Sequence, residues 1–253
     1  FMDRYGMTNT ENLDGESMIL PRFSFNWLAD DNLTIRGGMG KFSGGKPNVW
    51  ISNSYSNDGI TYVRANTRGV DLSNADITSI PGTATLEQGD GNVNAIDPNF
   101  EMPSDWRYSI AADYSADLGA LGDNWLISAE YMYVDKNKDI GWKDLYRENP
   151  DDADKAPTTG PDGRTVYNLG SRDRYDILLT NSEGGRSKIF TLKARKSWEN
   201  GFRLNMSYAN QDVTDVVPGT SSTATSNYAK FATVDRNNPI EGVSRYQIEH
   251  AFK

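Results

Sequence analysis

The stretch Phe202–Tyr208, FRLNMSY, decides the fold class of this chain. Its first, third, fifth and seventh side chains are apolar, and the three between them are Arg203, Asn205 and Ser207. Successive side chains of a β-strand point to opposite faces, so this period of two places one row in an apolar medium and the other in water. The stretch therefore predicts a strand with one apolar and one wet face.

The segment upstream predicts the partner of this strand. In Phe190–Trp198 every second residue is apolar except Lys196, whose long side chain can reach an interface. Glu199-Asn200-Gly201 joins the two runs, and Asn-Gly is the strongest short signal for a hairpin. The two runs therefore predict a β-hairpin.

The same alternation recurs along the chain and predicts five more strands. They are Phe23–Trp27, Leu33–Gly40, Trp106–Ser115, Trp125–Tyr133 and a last strand that begins near Ser244. Three connections are tight turns (29–32, 119–123 and 199–201) and three are long (about 44–103, 139–185 and 214–242), in strict alternation. Hairpin topology then puts the short turns at one end of the sheet and the long loops at the other, as in outer-membrane barrels.

The composition is polar yet rich in aromatic residues. Hydrophobic residues make up 37% of the 253 residues, while Tyr, Phe and Trp number 13, 9 and 6. This combination fits either a loop-rich binding protein or a barrel wall with one wet face. In a soluble β-sandwich the rings would be ordinary core residues, but a sandwich rarely tolerates a loop of about 60 residues. Rings in the apolar rows and at strand ends favour a bilayer interface: Trp27, Trp106, Trp125, Trp198, Tyr114, Tyr131 and Tyr133.

Charge and cysteine content exclude several classes of protein. A net charge of −9 argues against nucleic acid as a partner, because phosphates require clustered Lys and Arg. It also argues against docking onto an anionic membrane surface through basic residues. The chain has no cysteine, which excludes disulfides and thiolate chemistry. No stretch approaches the roughly 18 apolar residues of a membrane helix, and an export signal would have to lie upstream.

Six segments resemble one family of outer-membrane proteins, the TonB-dependent receptors. Pro21–Trp27 and Leu33–Gly44 are similar to a barrel segment of these receptors in which an Arg-Gly-Gly run follows a Pro-Arg pair. The other four segments resemble the Oar-like, carboxypeptidase-regulatory-like subgroup: Pro47–Asn57, Asp97–Arg107, Leu178–Asn181 and Gly219–Ala224. The resemblance runs from about residue 20 to the end of the chain. It implies a barrel of about 22 strands with an N-terminal plug, which takes up a scarce siderophore, saccharide or peptide with energy delivered through TonB.

We therefore expect residues 1–253 to be part of one all-β domain. The expected domain is an antiparallel transmembrane β-barrel in the bacterial outer membrane, to which this chain gives about seven strands with short periplasmic turns and long extracellular loops. Two open edges in hydrocarbon would cost several kcal/mol per unpaired backbone group, so the plug and remaining strands must come from elsewhere in the same polypeptide. Expected partners are outer-membrane lipid, those other parts, an unidentified small ligand and, by resemblance alone, TonB. The alternative is a surface-exposed adhesin or carbohydrate-binding β-domain without transport activity.

Two groups of side chains are candidates for ligand contact. Charged residues of the polar rows would line the lumen, as a ligand path or as solvation and plug contacts: Arg36, Arg107, Asp113, Glu130, Lys193, Arg195, Arg203, Arg245 and Glu249. Aromatic residues of the long loops would contact ligand or pack the loops together: Trp50, Tyr55, Tyr62, Trp142, Tyr146 and Tyr167.

The sequence contains no catalytic constellation, so we expect a protein that is not an enzyme and has no cofactor. The single histidine, His250, lies in the apolar row of the last predicted strand, and one histidine makes neither a triad nor a typical zinc site. Asp151, Asp152 and Asp154 could supply oxygen ligands for calcium in an outer loop. Their spacing is not that of an EF-hand, and a solvated acidic turn is the simpler interpretation.

Overall fold

The computed structural model describes residues 1–11, 13, 17–44, 47–59, 73, 92–148, 156–167 and 175–253. The described chain is mostly antiparallel β-sheet with few helices. Its strands are β1 (Arg22–Leu28), β2 (Leu33–Ser43), β3 (Val93–Ile96), β4 (Ser104–Ala116), β5 (Trp125–Asp144), β6 (Thr158–Thr159), β7 (Thr165–Val166), β8 (Asp176–Ser182), β9 (Arg186–Ser197), β10 (Arg203–Asp215), β11 (Gly242–Val243) and β12 (His250–Phe252). Its helices are α1 (Met2–Tyr5), α2 (Pro47–Ser56), α3 (Leu145–Glu148) and α4 (Ala224–Ala229), with a 3₁₀ turn at Gly119–Leu121. In the part of the chain described, no helix is both long and apolar enough to cross a membrane.

The main sheet runs β1-β2-β4-β5-β9-β10, with β11 and β12 both paired to β10. The three predicted hairpins, β1–β2, β4–β5 and β9–β10, are confirmed, and their strands extend beyond the stretches that the sequence pattern marked. Within the described residues the sheet does not close, because β1 pairs only with β2 and β12 only with β10.

The register of the main sheet gathers the apolar side chains of neighbouring strands on one face. Ile110 of β4 stands between Gly37 of β2 and Tyr131 of β5, and Tyr131 in turn stands across from Phe190 of β9. We call this the apolar face; its large exposed side chains are Phe23, Phe25, Trp27, Met39, Tyr108, Ile110, Tyr114, Tyr131, Phe190, Leu192, Met206 and Phe252. The residues between them form the polar face, as the alternation predicted.

The short connections all lie at one end of the sheet, and polar side chains close them. Asp30 Oδ1 accepts hydrogen bonds from the amides of Asn32 and Leu33, at 2.7 and 2.9 Å. Gly201 adopts φ 88°, a left-handed conformation that costs glycine little. At the same end Lys196 leaves the apolar row, as expected, and bonds the carbonyl and side-chain oxygens of Asp123.

The described parts of the long connections form a cap at the other end, and they contain more regular structure than the sequence predicted. β5 continues to Asp144, and β8 pairs with its last six residues, 139–144. β3 adds to β8 in parallel, and α2 and α4 pack nearby. The cap has its own hydrophobic core, formed by Ile96, Phe100, Ile140, Trp142, Ile177, Leu179, Val216, Val217, Ala224 and Tyr228. The N-terminal segment joins it, since the Ile96 amide donates to the Asn9 carbonyl at 3.1 Å.

The last predicted strand, from Ser244 onward, was wrong as a continuous element. On the side of β10 away from β9, only the short strands β11 and β12 pair with it. Three residues of β10 (211–213) stand against the six residues (244–249) that separate β11 from β12. The extra length forms a turn, in which the Gln247 amide donates to the Ser244 carbonyl at 3.1 Å. The Gln247 side chain then accepts a bond from the Val213 amide at 2.7 Å, replacing a ladder bond.

Gly38 should be essential to the pairing of β1 with β2. A Cβ at this position would lie 2.8 Å from the Phe23 carbonyl oxygen, so the backbone of β1 would have to move. We expect Gly38→Ala to lower the free energy of unfolding by about 1–3 kcal/mol, the usual cost of overpacking. Gly44→Ala is the control, because a Cβ there meets nothing within 4 Å. Equal denaturation midpoints for the two variants would contradict this close approach.

Candidate functional site

The polar face carries a charged cluster near the short turns. Arg36 of β2 donates from Nε to Asp113 Oδ2 of β4 at 3.0 Å, and its NH2 atom lies 3.9 Å from Glu130 Oε2 of β5. The register explains the contact, because Arg36 stands across from Ala111, which stands across from Glu130. Three of the predicted lumen-facing residues are therefore brought together.

Lys193 and Arg195 of β9 extend this cluster. With Arg36, Asp113 and Glu130, together with Ser128 and Thr191, they line a cavity of about 370 Å³. Arg203 follows on β10, where it stands across from Ser197. Among the residues described, no carboxylate lies within 4 Å of the cationic groups of Lys193, Arg195 or Arg203. The cavity therefore has an acidic side with its own arginine and a basic side formed by Lys193 and Arg195, and the charge of Lys193 also acts on Asp113.

The other predicted charged residues lie apart from this cavity. Arg107 sits at the cap end, where it makes a two-pronged pair with Asp105 at 2.7 and 3.0 Å and lies 4.8 Å from the Phe42 ring centroid. Arg245 and Glu249 belong to the turn 244–249 and not to a strand row, so their predicted place on a wall is corrected. His250 lies on the apolar face, with its Nδ1 2.9 Å from the Tyr208 hydroxyl.

Two of the candidate loop aromatics pack inside the cap. Trp142 is only 3% exposed, and its ring meets that of Trp50 edge-on at 5.3 Å between centroids. Trp50 also donates from its indole nitrogen to the Ser221 carbonyl at 2.7 Å, which ties α2 to the segment before α4. These rings build the cap, so a ligand would reach Trp142 only if the cap opened.

The remaining aromatic candidates differ in accessibility. Tyr55 on α2 is 57% exposed, and its hydroxyl donates to the Glu11 carbonyl at 3.2 Å. Tyr146 in α3 is half-buried. The Tyr167 hydroxyl donates to Asp235 Oδ1 at 2.8 Å, and burial together with that carboxylate raises the pKa of Tyr167. Tyr62, Asp151, Asp152 and Asp154 lie outside the described residues, so ligand and calcium contacts there remain predictions.

A buried ionic cluster at the base of the cap was not foreseen. Asp144 ends β5 and Asp176 begins β8, and both are fully buried. Arg147 donates from Nε to Asp144 Oδ2 at 2.7 Å, and the Asp176 amide donates to Asp144 Oδ1 at 3.2 Å. Asn237 bonds both backbone groups of Asp144, at 3.0 Å each.

This cluster joins distant parts of the chain. Tyr5 of the N-terminal segment donates its hydroxyl to Asp176 Oδ2 at 2.6 Å, so residues 5, 144, 176 and 237 meet at one place. Its members are far apart in sequence and make no motif, so no local pattern marks them. Burial raises the pKa of Asp144 to about 6, against the opposing effect of Arg147.

The described residues contain no group of three His, Asp or Glu side chains arranged to hold a metal ion. Neither a scan of protein-family models nor a search of curated proteins found a match to this chain. The site must therefore be interpreted from its own geometry.

The raised pKa of Asp144 predicts a pH-dependent cap. Because the pKa is about 6 in the folded state and 3.8 in the reference state, the folded cap binds the proton more tightly. Its stabilising contribution is complete below pH 3.8 and is lost as the pH rises through about 6. When the pH falls from about 7.5 to about 5, the free energy of unfolding of the wild-type cap should rise by about 1 kcal/mol relative to that of Asp144→Asn.

Tryptophan fluorescence during denaturant unfolding measures this gain, since Trp50 and Trp142 report on the cap core. Asp31→Asn is the control variant, because Asp31 is exposed in the short turn before β2, at the opposite end of the sheet from the cap. Identical pH dependence in wild type and Asp144→Asn would contradict the buried, proton-binding carboxyl.

Proposed function

We propose that this chain forms part of the wall and outer cap of an outer-membrane β-barrel of the TonB-dependent receptor type, which takes up a scarce ligand. One observation carries the proposal: the main antiparallel strands expose large apolar side chains across most of one face of the sheet and charged side chains on the other. Transmembrane barrel strands alternate in this way, with apolar side chains toward lipid and polar ones toward the lumen.

The size of the apolar face supports the proposal that this face contacts lipid. Twelve large apolar side chains on six strands and β12 are exposed, from Phe190 at 39% to Phe252 at 81%. Soluble monomers rarely expose a contiguous apolar patch above a few hundred Å². The cap already buries a core of its own, so the sheet has no second layer among the described residues to cover this face.

The two sheet edges support completion of the wall by further strands. The outer edges of β1 and β12 carry backbone groups without a strand partner in the described chain. In hydrocarbon each such group costs several kcal/mol, so only a closed barrel is stable there. Further strands of the same polypeptide would close it.

The short turns at one end of the sheet and the cap at the other give the proposed orientation of the chain in the membrane. Short turns face the periplasm in barrels of this kind, and long segments face outward. The cap would then lie outside the cell, and the cavity around Arg36, Lys193 and Arg195 would open into the lumen near the periplasmic end. The role of TonB and of a plug rests on the sequence resemblance alone.

Adjacent residues of β9 provide a matched test of the two faces. Leu192 lies on the apolar face and Thr191 on the polar face, and both belong to the same strand. Leu192→Arg should destabilise the inserted protein by about 2–4 kcal/mol, the cost of arginine near the bilayer midplane. Thr191→Arg should be tolerated, because its side chain would meet water and Glu130, which stands across from it.

Two measurements are made on each variant: the fraction of the protein found with outer membranes, and the fraction that migrates faster on a denaturing gel before boiling than after boiling. We expect a large loss for Leu192→Arg and wild-type behaviour for Thr191→Arg. Wild-type protein that is soluble and folded without detergent would overturn the proposal and favour the adhesin or carbohydrate-binding alternative.

A further inference from the structure

The apolar face contains a groove that crosses β1, β2, β4 and β5. Its volume is about 310 Å³, and its lining side chains are almost all apolar or aromatic, among them Phe23, Phe25, Met39, Tyr108 and Ile110. Tyr131 and Tyr133 of β5 complete it. A uniform lipid-facing wall would have no such depression, so its origin in the sequence matters.

Glycine in β2 creates the depression. Gly37 stands between Phe25 and Ile110 in the apolar row, and a Cβ there would lie 2.8 Å from the Phe25 ring. Without that Cβ, the Phe25 ring lies down onto the backbone of β2 and does not stand away from the sheet. The rings of Tyr108 and Tyr133, 6.1 Å apart, form the opposite side. A shallow apolar trough lined mainly by aromatic rings is left between them.

A cation lies directly beyond the outer end of this groove. Lys41 is two residues from Met39 on the same face, a rise of about 7 Å, and it stands across from Trp106. The Trp106 ring stacks at 6.3 Å on Tyr108, which lines the groove. Within the described chain Lys41 has no carboxylate within 4 Å. Lys188 stands across from the groove residue Tyr133, but its ammonium lies 3.8 Å from Asp212, whereas Lys41 has no such partner among the described residues.

We propose that this groove binds one phosphate-bearing bilayer lipid, with an acyl chain along the rings and the phosphate at Lys41. The inference rests on the proposed membrane function and adds a specific lipid site to it. An apolar trough supplies contact area to a chain, and the lysine ammonium supplies a charge to the headgroup at the interface. Trp106 flanks the same position, where its indole ring suits the boundary between chain and headgroup. A zwitterionic lipid gains less there, because its own cation competes with Lys41.

The test measures lipid retention by the detergent-purified, full-length barrel protein in native mass spectrometry. The probes are phosphatidylglycerol and phosphatidylcholine with identical chains. Wild-type protein should retain phosphatidylglycerol about fivefold more than phosphatidylcholine, the effect expected of one lysine near a headgroup. Lys41→Gln should bring the two lipids to equal retention. Lys230→Gln removes the same charge from an exposed position at the end of α4 in the cap, away from both faces of the sheet, and should leave the preference unchanged.

A second pair of variants tests the groove itself. Ile110→Trp fills the trough and should lower the retention of both lipids by at least about fivefold, since the chain loses its contact area. Leu192→Trp adds the same ring to the apolar face outside the groove and should leave retention at the wild-type level. Equal effects of the two tryptophan variants would overturn the site.

Membrane fractionation and heat-modifiable gel migration show whether the protein inserts as a barrel, independently of whether it binds the lipid. They therefore test the proposed function separately from this inference. Inserted protein whose phosphatidylglycerol preference is absent, or does not respond to Lys41→Gln, overturns the lipid site alone. Protein that does not insert overturns both.

Discussion

The main sheet of this chain depends on the alternation of side chains along its antiparallel strands. Because each strand presents one residue in two to each face, and because the register aligns Gly37, Ile110, Tyr131 and Phe190, the apolar rows merge into one continuous surface. A slip of one residue in any strand would send that row to the charged face. The apolar surface and the charged cavity are thus two consequences of a single register, and neither can form without the other.

The cap depends on a different interaction, the burial of Asp144 and Asp176 beside Arg147. Two buried carboxylates with this arginine are costly to remove from water, so the surrounding bonds from Tyr5 and Asn237 must hold them in place. This requirement fixes where the N-terminal segment and the end of β5 meet. The described parts of the segments that the sequence predicted as loops therefore pack around one core, and Trp142 is part of it.

The sheet could be predicted from sequence, whereas the cap could not. Strict alternation in FRLNMSY and the Asn200-Gly201 turn are local signals, and local signals were enough for the three hairpins. The grouping of Arg36, Asp113 and Glu130 follows from the same register. The cluster at Asp144 and Asp176 depends on long-range contacts without periodicity. The failure at 244–249 has a similar cause, since Gln247 replaces a ladder bond that alternation assumes.

The central claim is that one face of this sheet lies in lipid and the other in water. The chain contains no cysteine, so single cysteines can be placed at successive positions 189–194 of β9 and spin-labelled in bilayers. Accessibility to oxygen, which concentrates in hydrocarbon, should be high at 190, 192 and 194, and accessibility to a water-soluble nickel chelate should be high at 189, 191 and 193. Accessibility to the nickel chelate at all six positions would contradict the account.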